Sequence, residues 1–234
     1  MNPKLVAAAD AAKLVRDGQV VGLGSGSTAE LAILELGKRI KEEGIRVIGI
    51  PTSRKSEAVG RGAGIPISTL DEHDVVDITI DGADEVDPNL DLIKGLGGAL
   101  LREKLVAGAT KKEVIVIDES KLVQQLGTRA PLPVEIIQFS HEHIGRKLAS
   151  LGCVPKLRLM DEKPFVTDNG NYILDCSFTN GLPDAKSIDS ELQSMPGVVE
   201  TGLFIGVADL VIVGSASGAR MMRRSELDEE HLLR

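Results

Sequence analysis

The sequence predicts an α/β protein: a mostly parallel sheet with helices on both faces, joined to a smaller α+β unit. Three observations carry this. Short apolar runs alternate with amphipathic stretches through the first half of the chain. The run "ADLVIVG" at 208–214 brings the same signature back near the end. Between them, behind the two prolines of "APLPVEI" at 130–136, strand-like segments outnumber helical ones. Strands buried on both faces read as unbroken apolar runs, whereas antiparallel units mix apolar and polar positions. The expected domains are 1–130 with 205–234, and 131–204.

Residues 4–17 read as an amphipathic helix stopped by Gly18, and "QVVGLG" as a buried strand. "STAELAILELGKRIKEEG" is a helix with Ser27 or Thr28 as its cap. "IRVIGI" is a strand ended by Pro51, "TSRKSEAVGRGAG" a helix and "IPISTL" an extended piece. "DVVDITI" (strand), "GALLREKLVAGAT" (helix) and "EVIVID" (strand) complete the first alternation. The middle unit is expected from "PVEIIQF", "HEHIGRKLASLG", "VPKLRLM", "NYILDCSF" and "SIDSELQSMPGV". "ADLVIVG" rejoins the first sheet, and "RRSELDEEHLLR" reads as a solvated end.

Composition narrows the function. With 42% hydrophobic residues, 2% aromatic and no Trp, the core is aliphatic and large enough to need no staples. A net charge of −8 argues against nucleic acid, although local lysines can still meet a small anion. Cys153 and Cys176 have no CxxC spacing, which suits a reducing compartment and gives no zinc signature. The first residues form an amphipathic helix, not a signal core, and no apolar run approaches the roughly 18 residues of a membrane span. The expected location is the cytoplasm.

Two motifs carry chemistry. "GLGSGSTA" at 22–29 links a strand to a helix, so backbone N–H groups and the positive helix end converge where a phosphate would sit. Ser25, Ser27 and Thr28 add hydroxyls, and Gly26 lets an anion approach the main chain. Gly24-x-Gly26-x-x-Ala29 also meets the loose dinucleotide fingerprint. However, the second strand ends in Pro51-Thr52-Ser53, with no acid for a ribose. Arg54 and Lys55 keep a 2′-phosphate reading open.

"DGADEVDPNLDLIKGLGGALLREK" at 81–104 gathers Asp81, Asp84, Lys94 and Glu103 around glycines. Asp81 closes one strand, the Ser25–Thr28 loop another, and "DESK" with Lys121 a third, so three strand ends aim polar groups at one rim. Helical spacing puts Glu103 on a face with Leu100 and Ala107, away from Arg102 and Lys104. A partly desolvated carboxylate there is a stronger base near neutral pH. Asp81 and Asp84 are compatible with a hard cation such as Mg²⁺, and equally with a metal-free network completed by Lys94. His141 and His143 do not share a helical face and make a poor metal pair.

Together these stretches, with "IPTS", "DESKLVQQLG", "PLPVEI", "VTDNGNYILD" and "PGVVETGLF" in the same order, resemble the type A ribose-5-phosphate isomerase family. The resemblance extends from about residue 4 to 214. It implies a Rossmann-like domain plus a smaller, ferredoxin-like α+β domain, and a homodimer or homotetramer. The implied activity is interconversion of D-ribose 5-phosphate and D-ribulose 5-phosphate in the non-oxidative pentose phosphate pathway, with no metal or organic cofactor. It assigns Glu103 as base and Asp81, Asp84 and Lys94 as polar catalytic groups. Substrate binding falls to Ser25, Gly26, Ser27, Thr28, Asp81, Gly82, Ala83, Asp84, Lys94, Gly95, Leu96, Gly97, Lys121 and Lys4. Two departures stand out: Leu96 where the family has a further glycine, and Ser25 where threonine is usual. The competing readings are a non-catalytic sugar-phosphate sensor, which has no use for Glu103, and a nicotinamide-dependent dehydrogenase.

Overall fold

The computed structural model describes residues 2–224. In chain order its first elements are α1 (Pro3–Ala12), β1 (Val20–Leu23), α2 (Ser27–Glu43), β2 (Ile48–Pro51), α3 (Arg54–Gly62), β3 (Ile78–Asp81), β4 (Glu85–Val86) and β5 (Leu92–Ile93). Then come α4 (Leu100–Gly108), β6 (Glu113–Asp118), β7 (Leu132–Ile136), α5 (His141–Ala149), β8 (Val154–Leu157), β9 (Leu159–Met160) and β10 (Lys163–Pro164). The chain closes with β11 (Tyr172–Ser177), α6 (Ala185–Gln193), β12 (Val198–Thr201), β13 (Leu203–Phe204), β14 (Leu210–Ser215) and β15 (Gly218–Arg223).

Two compact units form. One comprises residues up to Ala83, Arg102–Lys121 and the segment from Val207 on; the other comprises Asp84–Leu101 and Leu122–Gly206. Asp84–Leu101, Leu122–Ala130 and Ile205–Gly206, read from sequence with the first unit, group with the second.

The first unit is Rossmann-like, built on a sheet of order β15-β14-β6-β3-β1-β2. All its neighbours are parallel except β14 and β15. Strand period sorts the side chains. Val21, Leu23, Ile78, Ile80, Val114, Val116, Leu210 and Ile212 pack with α1 and α2 residues such as Ala8, Ala11, Ile33 and Leu36. On the other face Ile50 and Val76 meet Val106 of α4. "ADLVIVG" rejoins this sheet as β14, parallel to β6. The expected charged tail begins inside β15, and its residues from Ser225 on lie outside the described ones.

One expectation fails at α2. Neither Ser27 nor Thr28 is the cap: Gly26 takes that position with φ 100°, and no side chain caps the helix. The left-handed φ suits glycine, so the hydroxyl residues fall inside the first turn.

The second unit holds a four-stranded sheet of order β12-β7-β11-β8, antiparallel throughout. With α5 after β7 and α6 after β11, this is the ferredoxin-like arrangement. Leu132, Val134, Ile136, Leu174 and Cys176 face Ile144 and Leu148 of α5 and Ile188 and Leu192 of α6. Pro133, Glu135, Ile173 and Asp175 alternate with them and belong to the opposite face. A small sheet, β13-β5-β4, completes the unit.

Candidate active site

In the first unit β1 lies between β2 and β3, so the chain leaves β1 in one direction and returns on its other side. Ligands of open parallel sheets bind at such a reversal, beyond the C-terminal strand ends. Asp81 sits there as the last residue of β3, 1% exposed. Its Oδ1 accepts the backbone N–H of Ser25 (2.9 Å) and of Gly82 (2.7 Å). Gly24 permits this approach, because a Cβ at that position would fall on the Asp81 Cα and carboxylate. The Ser25 hydroxyl meets Thr52 Oγ1 at 2.8 Å and donates to Ser53 Oγ at 2.7 Å. Ser53 in turn caps α3. Ser25 therefore ties its loop to the end of β2, while Gly26 and Ser27 are exposed and Thr28 is buried.

Lys4 reaches this loop from α1, its Nζ donating to Ser27 Oγ at 2.9 Å. Lys121 ends a short 3₁₀ turn after β6. Burial alone would raise the Asp118 carboxyl at the tip of β6. Bonds from Ser120, with the ammonium charges of Lys4 and Lys121, outweigh this and hold it below its ordinary range. Lys4 thus links the uncapped start of α2 to the tip of β6, where its charge and that of Lys121 act on Asp118. A cavity of about 290 Å³ beside it is lined by Pro3, Lys4, Asp118, Glu119, Ser120 and Gly214. Glu103 in α4 is 5% exposed, on the face that buries Val106 and Ala107 and opposite the 58% exposed Leu105. That is the facing expected from helical period.

In the second unit, Lys94 follows β5 and is only 2% exposed. Its backbone N–H donates to Gly202 O at 2.9 Å, and its Nζ lies 5.4 Å from the centroid of the Phe204 ring. The Asp84 backbone N–H donates to Ile93 O (2.8 Å), and its Oδ2 accepts the Leu96 N–H (2.9 Å). Gly95 and Gly98 close a turn through Gly98 N–H to Gly95 O at 3.0 Å. Leu96 and Gly97 form its exposed tip. The chain passes between the units at Ala83–Asp84 and again inside α4.

Sequence reasoning missed Thr52, Ser53 and Phe204. The first two stand at a strand end, which is the available signal; Phe204 gives none, since its partner is 110 residues away. Among the described residues, no group of three or more His, Cys, Asp or Glu side chains could hold a metal ion.

The family model of ribose 5-phosphate isomerase A (phosphoriboisomerase A) matches residues 48–218. The chain belongs to this family. The ribose-5-phosphate isomerase A of Bacillus mycoides is 48% identical over 220 residues, covering 94% of this chain and 99% of that relative. That of Thermomicrobium roseum is 50% identical over 226 residues, covering 96% and 94%. Among solved structures, ribose 5-phosphate isomerase A of Methanocaldococcus jannaschii superposes with TM-score 0.90 at 44% identity, covering 95% of this chain and 98% of that one. A D-ribose-5-phosphate isomerase solved with phospho-erythronic acid gives 0.92 at 39% identity, covering 96% and 100%.

Proposed function

We propose that this isomerase interconverts D-ribose 5-phosphate and D-ribulose 5-phosphate through an enediolate, with Glu103 as the base. The observation that carries this is a carboxylate held almost wholly out of water on α4, in a family named for this reaction. Glu103 takes the proton from C2 of the open-chain aldose, leaving electron density on O1, and returns it to C1. The hydroxyl proton moves from O2 to O1. A carboxylate can serve both carbon atoms, and the enediolate oxygens need a cation or donor. Lys94 supplies that charge, and Asp84 or Asp81 relays the hydroxyl proton and assists ring opening. The phosphate rests on Gly26, Ser27 and Thr28 at the start of α2, with Lys4 and Lys121 beside it. Backbone of Gly82, Ala83, Gly95, Leu96 and Gly97 completes the contacts, with no metal or organic cofactor.

Assay of chelator-treated wild type and Glu103→Gln on ribose 5-phosphate tests this. Wild type stays active, and the variant loses about 10³-fold or more while still binding sugar phosphate. A wild type that binds but does not turn over supports the sensor reading instead.

The cytoplasm and a homo-oligomer complete the proposal. Cys153 and Cys176 are buried and unpaired, as in a reducing compartment. No helix among the described residues is long and apolar enough to cross a membrane. On the second unit Val154, Leu159, Met160 and Phe139 are 58%, 57%, 60% and 79% exposed, suited to a second copy. Sedimentation reads the oligomeric state.

A further inference from the structure

The sheet face of the second unit that lies opposite α5 and α6 carries charge the mechanism does not use. Register places Lys156 against Asp175, and the Arg158 N–H donates to Ile173 O at 2.9 Å, so alternation puts the Arg158 side chain on the Asp175 face. The guanidinium is held there bidentately, Nε to Asp175 Oδ2 at 2.9 Å and Nη2 to Asp175 Oδ1 at 2.5 Å. The two side chains are only 12% and 22% exposed. The remaining nitrogen, Nη1, donates to Gly95 O (2.8 Å) and Leu96 O (3.1 Å) in the loop that follows Lys94.

These bonds fix two peptide planes. The Gly95–Leu96 peptide is held by its carbonyl on Arg158 and by its N–H on Asp84 Oδ2. In a trans peptide the carbonyl and N–H point oppositely. The next peptide, also with its carbonyl on Arg158, therefore directs the Gly97 N–H away from the guanidinium, to the side where Asp84 lies. Phe165 secures the far end of the loop. Its N–H donates to Arg158 O at 2.9 Å, and its ring lies 5.9 Å from the guanidinium carbon. Gly98 (φ +79°) admits that ring, since a Cβ there would meet Phe165 Cζ at 2.5 Å.

We propose that Arg158, anchored by Asp175, is a positioning residue for the isomerase reaction: it sets the Lys94–Gly98 loop, and through it the Asp84 carboxylate, without touching the sugar. This rests on the reading that Lys94 and Asp84 act on the substrate. A buried lysine would supply one donor group and could not hold the Asp175 carboxylate bidentately and both carbonyls at once.

The test compares Arg158→Met, Arg158→Lys and Asp175→Asn with Lys94→Gln, reading kcat and KM on ribose 5-phosphate and backbone hydrogen exchange. Arg158→Met is expected to lose about 10²-fold in kcat with KM within about threefold, the scale of a slight misplacement. Its exchange should rise over residues 94–99 while 132–136 and 172–177 stay protected. Arg158→Lys and Asp175→Asn should fall between it and wild type, and they carry the test if Arg158→Met loses protection throughout the unit. Near wild-type kcat in all three, with Lys94→Gln inactive, overturns the positioning role alone. So does a kcat loss in Arg158→Lys and Asp175→Asn with exchange at 94–99 unchanged. Full activity in Lys94→Gln overturns the underlying reading.

Discussion

The carboxylate of Asp81 accepts the backbone N–H of Ser25 at 2.9 Å, joining the end of β3 to the loop after β1 at the point where the strand order reverses. One oxygen of a candidate catalytic acid is thus also a fastener of the proposed phosphate loop. The two duties separate by substitution. Asp81→Asn keeps an acceptor oxygen and is expected to unfold within about 1 kcal/mol of wild type, yet to lose activity with its charge. Asp81→Ala leaves two half-buried donors without this acceptor and should cost about 1–3 kcal/mol and raise KM. Thermal unfolding beside steady-state kinetics checks both; an Asp81→Ala protein as stable as wild type contradicts the fastening role.

Phe204 lies under the ammonium of Lys94 at 5.4 Å from the ring centroid. A desolvated cation–π contact contributes about 2 kcal/mol or more. Phe204→Leu keeps the site apolar but removes the ring face, so kcat should fall about tenfold, with a modest loss in stability. Unchanged kcat with the same loss of stability would make Phe204 a packing residue only.

Glu85 is 0% exposed. Its carboxylate collects the N–H groups of Gly127 (2.5 Å), Arg129 (2.6 Å) and Ala130 (2.7 Å), fixing the entry to β7. In Glu85→Gln an amide NH₂ must face one of those donors, and a loss of about 2–4 kcal/mol is expected from urea unfolding. A shift below about 0.5 kcal/mol would refute it.

Asp77 gives a pH signature. Its carboxyl is held below the ordinary range first by the Val20 backbone N–H at 3.0 Å, then by Lys111 Nζ at 2.9 Å. A depressed folded pKa adds stability that is present above the unfolded pKa and lost as pH falls through the folded one. Asp77→Asn should therefore be less stable than wild type at pH 7, by about 1 kcal/mol given partial solvent screening. The gap should begin to narrow below about pH 4 and go on shrinking as pH falls further. Melting curves from pH 3 to 7 measure it, and a gap that widens on acidification contradicts the assignment.

Much of this architecture is legible in the residues because parallel strands buried on both faces leave unbroken apolar runs, as in β1, β3, β6 and β14. The Glu103 facing follows from helical period in the same way. Other features follow from tertiary partners. Strands β4, β5 and β13 have two residues each, too few for any period. The α2 cap turned on a backbone angle at Gly26, not on the neighbouring hydroxyls. Arg158 reads as an ordinary strand-edge charge until the sheet register brings Asp175 beneath it, and Glu85 as one more acid of an acidic stretch until the 127–130 turn folds onto it.

With Glu103 as the proposed base, one carboxylate moves the proton between C2 and C1. The deciding measurement follows, by NMR, the departure of deuterium from C2 of ribose 5-phosphate, to C1 or to solvent, in wild type and Glu103→Gln. Wild type is expected to clear deuterium from C2 at the rate of turnover, the label passing to C1 or to solvent, whereas a variant that still binds the sugar phosphate shows neither loss from C2 nor ribulose 5-phosphate. Loss of deuterium from C2 at the wild-type rate in Glu103→Gln would place the base elsewhere.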